Sequence, residues 1–205
     1  MNITLVSHKY DVPLNDPCIY PLGFMYVSSY FKHSGHNVKI LNYNLWDYDF
    51  EGEIQGQDVV GFTGFEMFKT SILRDEKICM EHGVETMVGG ALPTFNAIPE
   101  FLGFQKTGEL VKDIDSIYPD YDGFEIREYH NRNKIKHIGI LTSIGCPYHC
   151  TFCAQTCGFR MRSLDNVFKE IDYYKDKYEI DYVIFNDNTL NINRNRFMQI
   201  CNGMG

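Results

Sequence analysis

Along the first hundred residues, short β-branched runs alternate with longer stretches whose apolar residues recur at helical spacing, and this alternation restricts the chain to few architectures. Ile3-Thr4-Leu5-Val6, Val38-Lys39-Ile40-Leu41, Val59-Val60-Gly61-Phe62 and Thr86-Met87-Val88 read as strands. Between them, residues 23–34 read as a helix stopped by Gly35. Residues 67–82 read as another, with Phe68, Ile72 and Cys79 on one face and Gly83 as the stop. Such alternation implies a parallel sheet with helices on its faces, and ligands of such sheets bind at the carboxyl ends of the strands. Those ends are residues 7–21, Thr63-Gly64-Phe65 and residues 89–94, where Gly89 and Gly90 would let a backbone come close to a ligand.

From about residue 103 to 137 the pattern breaks. The stretch is polar, contains Pro119 and carries a charged run over residues 125–136, so it reads as a connector with a short hairpin. Alternation then resumes. Ile138-Gly139-Ile140-Leu141-Thr142 is a strand, Ser163 a helix N-cap, and Val167, Ile171, Tyr174 and Tyr178 share the face of the following helix. Tyr182-Val183-Ile184-Phe185 is the next strand, and a further helix starts near Asn193. The expected organisation is therefore a sheet domain over residues 1–102, a connector over 103–137 and a second α/β region over 138–205.

Hydrophobic residues make up 44% of the 205 and charged residues 22%, which suits a globular chain and not a disordered one. The formal net charge of -8 argues against broad electrostatic binding to nucleic acid. No run approaches the length of about 20 apolar residues that a membrane-spanning helix needs, and the amino terminus does not look like a secretion signal, so a cytoplasmic location is expected.

Four of the seven cysteines fall between Cys146 and Cys157. In Cys146-Pro147-Tyr148-His149-Cys150-Thr151-Phe152-Cys153 the spacing is three residues, then two. A four-iron–four-sulfur cluster is held by thiolates, and a set of three leaves one iron open to bind another molecule. A structural zinc site usually needs four ligands in two close pairs, and although His149 or Cys157 could contribute, a second pair is missing. A redox dithiol would use Cys150 and Cys153 and leave Cys146 unexplained.

Cys-x-x-x-Cys-x-x-Cys with an aromatic residue before the last cysteine resembles the signature of the radical S-adenosylmethionine superfamily. The run from Leu141 to Pro147, the stretch Arg160-Met161-Arg162-Ser163 and the strand running into Asp187-Asn188-Thr189 resemble that family as well. The resemblance implies that Cys146, Cys150 and Cys153 bind the cluster and that S-adenosylmethionine chelates the open iron. Reductive cleavage would then give a 5′-deoxyadenosyl radical, with Phe152 beside the adenine and Asp187, next to Asn188, on the methionine amino group. No catalytic residue beyond the cluster ligands is assignable.

Tyr20-Pro21-Leu22-Gly23-Phe24, Gly35-His36-Asn37-Val38 and Gly89-Gly90 with Pro93-Thr94 resemble the cobalamin-binding-type domain that precedes many such enzymes. The Asp-x-His-x-x-Gly motif that supplies a histidine to cobalt is absent. Cobalamin is thus a candidate ligand, with Gly89, Gly90, Pro93 and Thr94 at its site. The implied fold is α/β: a Rossmann-like parallel sheet domain followed by the first part of a (β/α)6 radical S-adenosylmethionine barrel. About two strand–helix units follow residue 137, so the expected barrel is incomplete, and a partner chain is one way of completing it. The implied partners are a small-molecule substrate and a reductant such as flavodoxin or ferredoxin. Methyl transfer or other carbon-radical chemistry is the expected reaction class. The alternative is a non-catalytic iron–sulfur or zinc protein whose sheet domain binds a ligand or partner.

Overall fold

The computed structural model describes residues 1–10, 21–64, 66–90, 105–106, 113–153 and 158–204. It divides into two units, Met1–Lys112 with Pro119–Tyr129 and Asp113–Tyr118 with His130–Gly205.

The first unit is built on strands β1 (Asn2–Ser7), β2 (Asn37–Asn42), β3 (Val59–Thr63), β4 (Glu85–Gly89) and β5 (Gln105–Lys106). All are parallel, in the order β2-β1-β3-β4-β5. Helices α1 (Leu22–His33), α2 (Phe50–Ile54) and α3 (Lys69–Glu81) lie between the strands in sequence, so this unit is a Rossmann-like α/β domain. Strand β1 is buried along nearly its whole length, because a strand covered on both faces needs apolar side chains on both. The core includes Val6, Leu41, Val60, Phe62, Ile72, Cys79 and Val88. Each fully buried aliphatic or aromatic side chain of this kind contributes about 1.5–3 kcal/mol. Phe68, Ile72 and Cys79 are buried together, as the helical spacing predicts. Burial pushes the Cys79 thiol up to about 12, so it acts as a small apolar side chain.

Part of the stretch read as a connector is core. Tyr121, Phe124 and Ile126 are buried, and Asp120 accepts hydrogen bonds from Ser28 Oγ (2.5 Å) and pairs with Lys32 Nζ (2.6 Å). Asn42 Nδ2 donates to the Phe124 carbonyl (3.1 Å), fixing this segment to the end of β2. Instead of a hairpin, the charged run forms helix α4 (Ile126–Asn133), which buries Ile126, Tyr129 and His130 and exposes Arg127 and Arg132. One apolar residue per turn is too sparse a stripe to announce a helix in the sequence.

The second unit contains β6 (His137–Ile140), β7 (Ser143–Ile144), β8 (Arg160–Met161), α5 (Leu164–Tyr178), β9 (Tyr182–Phe185) and α6 (Arg194–Gly203). Strands β6 and β9 are parallel neighbours, while β7 and β8 form a short antiparallel pair. Ser163 caps α5 by accepting from the Asn166 amide (3.3 Å). The buried stripe of α5 is Val167, Glu170, Ile171, Tyr174 and Tyr178, the expected face with a carboxylate set into it. Among the described residues no helix is long and apolar enough to cross a membrane.

Candidate functional site

The cysteines lie on the chain between β7 and β8. Ser143 pairs with Met161 and Ile144 with Arg160, so residues 145–159 leave and return through one narrow base. Gly145, at φ 77, takes the left-handed conformation that turns the chain out of β7, where any other residue would be strained. Cys146 is half-buried and Cys150 and Cys153 are exposed; all three are free thiols. The Cys153 amide donates to the Cys150 carbonyl (2.9 Å), which closes the second spacing into a tight turn. Cys157 falls outside the described residues. Among the described residues no three His, Cys, Asp or Glu side chains are gathered closely enough to hold a metal, the loop thiols included.

The base of the loop is anchored by residues distant in sequence. Asp187, just beyond β9, accepts from Thr142 Oγ1 (2.8 Å) and Ser143 Oγ (2.6 Å) on Oδ1, and from the Thr142 amide (3.0 Å) on Oδ2. The Thr142 carbonyl accepts from the Arg162 amide (2.9 Å) and from Arg196 Nη2 (3.0 Å) of α6. Burial pulls the Arg196 guanidinium below its ordinary value, and Asp187 and Asp115 work in the opposite direction.

Arg162, just after β8, is wholly buried. Its guanidinium pairs with Glu170 Oε2 (2.5 Å) and Asp115 Oδ1 (3.1 Å), and donates to the Leu141 carbonyl (2.9 Å) and to Asn166 Oδ1. Burial pushes the Glu170 carboxyl up to about 7, outweighing the pull of Arg162. Burial also pushes on Asp115, but hydrogen bonds from Ser163 and Arg162 win and hold it below its ordinary value.

The other expected site residues are placed as follows. Phe152 is 90% exposed, and Asn188 is exposed beyond β9. Both oxygens of Asp187 are engaged by Thr142 and Ser143. In the first unit, the Gly64 amide donates to the Gly89 carbonyl (2.6 Å), joining the ends of β3 and β4. Gly90 has φ +96, and a Cβ there would sit 3.1 Å from the Gly64 carbonyl oxygen. A need for glycine at position 90 thus arises from its own neighbour. Pro93 and Thr94 lie outside the described residues, as does most of the loop after β1.

Sequence reasoning did not single out Asp115, Glu170, Arg196 or the buried pair at the end of β1. That pair is His8 and Asp75, with Nε2 and Oδ2 2.9 Å apart and the imidazole stacked against Phe62. A carboxylate inside the apolar face of α5 is the signal that could have found Glu170, since an unpaired charge there would be costly. Asp115 and Arg196 carry no such signal.

Comparison with known proteins gives distant relatives. The chain is 28% identical over 102 residues to an anaerobic magnesium-protoporphyrin IX monomethyl ester cyclase of Cereibacter sphaeroides, a match over 46% of this chain and 16% of the cyclase. It is 29% identical over 96 residues to an uncharacterized methyltransferase of Pyrococcus horikoshii, covering 44% of this chain and 21% of that protein. A cyclase of the same name from Rubrivivax gelatinosus is 28% identical over 95 residues, again 44% of this chain and 17% of the relative. The chain thus spans about a fifth or less of the length of the curated relatives it matches. No family model and no solved structure matches. The relatives are named as enzymes, and the relationship is a distant one to a cyclase and a methyltransferase.

Proposed function

We propose that this chain carries the cluster-binding part of a radical S-adenosylmethionine enzyme. The observation that carries the reading is the donor set: three free thiols on a single loop whose base is pinned at both strands. Three thiolates suit an iron–sulfur cluster with one open iron better than a zinc site, which usually takes four ligands. The distant relation to a cyclase and a methyltransferase agrees with an enzyme.

Cys146, Cys150 and Cys153 would hold three of the irons. When bound, the cluster supplies the electron that cleaves S-adenosylmethionine to methionine and a 5′-deoxyadenosyl radical. Phe152, already exposed, is free to lie against the adenine, and Asn188 is exposed at the end of β9, free to donate to the cofactor. The anchored base keeps the loop at the carboxyl ends of β6 and β9, the ends at which ligands bind in parallel α/β folds.

For the first unit we propose a ligand at the carboxyl ends of β1 and β3, where the strand order reverses. Cobalamin is the candidate that the family resemblance implies. Gly89 and Gly90 already serve the β3–β4 junction and so lend it no support.

The test is anaerobic reconstitution. The chain should take up about four irons and four sulfides. Cys146→Ala, Cys150→Ala and Cys153→Ala should each lose the cluster, and Cys157→Ala should keep it. S-adenosylmethionine should then perturb the electron paramagnetic resonance spectrum of the reduced protein. Stoichiometric zinc without iron would overturn the reading and favour a non-catalytic zinc protein.

A further inference from the structure

The turn after β9 was expected to serve the cofactor, yet its contacts point into the protein. Thr142 lies four residues before Cys146, and each of its polar groups is occupied. Its amide and hydroxyl donate to Asp187, and its carbonyl accepts from the Arg162 amide and Arg196 Nη2. Ser143 adds a third hydrogen bond to the same carboxylate. Asp187 therefore sets where the chain leaves the sheet on its way to the cysteines. Two residues further on, Thr189 Oγ1 lies 3.5 Å from Cys146 Sγ, within hydrogen-bonding reach for sulfur. As the free thiol either atom can donate, but a thiolate has no proton, so in the ligating form Thr189 must be the donor.

We infer that the turn Asp187–Thr189 is a positioning device for the first cysteine of the loop, in which Asp187 clamps the base of the loop and Thr189 donates a hydrogen bond to the Cys146 thiolate. The inference rests on the cluster reading above and assigns the turn a role within it. A hydrogen bond to a ligating sulfur stabilises the more negative, reduced cluster and so raises its reduction potential. The carboxylate of Asp187 then acts through Thr142 and Ser143, and the cofactor's amino group is bound by other groups.

The test uses the whole chain in wild-type, Thr189→Val, Thr189→Ser, Asp187→Ala and Asp187→Asn forms. Iron content, the midpoint potential of the reconstituted cluster and S-adenosylmethionine binding are measured, together with hydrogen exchange at the Thr142 amide in the metal-free protein. Thr189→Val is expected to hold wild-type iron with a more negative midpoint potential, and Thr189→Ser to restore it. Asp187→Ala should speed exchange at Thr142, with Asp187→Asn intermediate, because asparagine keeps an acceptor for the two hydroxyls. A Thr189→Val protein with full iron and an unmoved potential overturns the inference. So does an Asp187→Ala protein with wild-type iron, potential and Thr142 exchange that no longer binds S-adenosylmethionine, since Asp187 would then be a cofactor ligand. A wild-type chain that takes up no iron sinks the cluster reading itself, a result distinct from either.

Discussion

In an Arg162→Met variant the guanidinium is lost while the carboxylate it neutralises stays inside. Arg162 and Glu170 are both wholly buried, and the Leu141 carbonyl and Asn166 lose their donor as well. Breaking one side of a buried pair costs about 3–5 kcal/mol, a large share of the roughly 5–15 kcal/mol that holds a domain folded. Asp115 adds little to the loss, because its side chain is 33% exposed and water can take the place of Arg162. The double variant Arg162→Met/Glu170→Met removes both charges and fills the space with apolar atoms, so it should recover most of the loss. The pH dependence has a definite sign. In the wild type Glu170 is raised from 4.5 to about 7, so its contribution to stability is full below about 4.5 and is lost as pH rises through about 7. A shift of that size is on the order of 3 kcal/mol. Without Arg162 the carboxyl rises further, so the single variant should lie closer to the wild type at pH 5 than at pH 8. Urea unfolding followed by far-ultraviolet circular dichroism at the two pH values measures this. A single variant within about 1 kcal/mol of wild type at pH 8, near the typical cost of any point substitution, would refute the reasoning. A double variant no more stable than the single would refute it too.

Two further predictions concern the first unit. Gly90→Ala should lower stability by roughly 1–2 kcal/mol, because φ is +96 and the new Cβ would crowd the Gly64 carbonyl. A thermal melt equal to wild type would show that this junction relaxes freely; if the loss is seen, weakened hydroxocobalamin binding by a Gly90 variant cannot be credited to a ligand contact. Asp75→Ala should cost about 1–3 kcal/mol, since it strands the buried His8 imidazole, whose Nδ1 already has no hydrogen-bond partner among the described residues. Unchanged urea midpoints for Asp75→Ala would mean that the pair is not a structural contact.

The sequence by itself determined what depends on neighbours along the chain. The β-branched runs of β1, β3 and β4, the glycine stops, the Ser163 cap and the buried stripe of α5 were all legible, because period and capping are properties of a few consecutive residues. The spacing of Cys146, Cys150 and Cys153 was legible for the same reason. Tertiary structure alone decided what those residues meet. The family resemblance assigned Asp187 to the cofactor's amino group, and what only the fold shows is that its carboxylate accepts from Thr142, 45 residues away. Arg162 finds Asp115 across 47 residues, and no local pattern ties a guanidinium to a lone aspartate in a polar stretch. The same holds for residues 119–129: their polar, Pro-containing composition marked a connector, yet they group with the first unit, where Tyr121 and Phe124 are buried and the Phe124 carbonyl meets Asn42, 82 residues away. Gly90 divides the two kinds of information most clearly. Its lack of a side chain suggested a nearby ligand, and folding supplied a nearer neighbour, the backbone of Gly64.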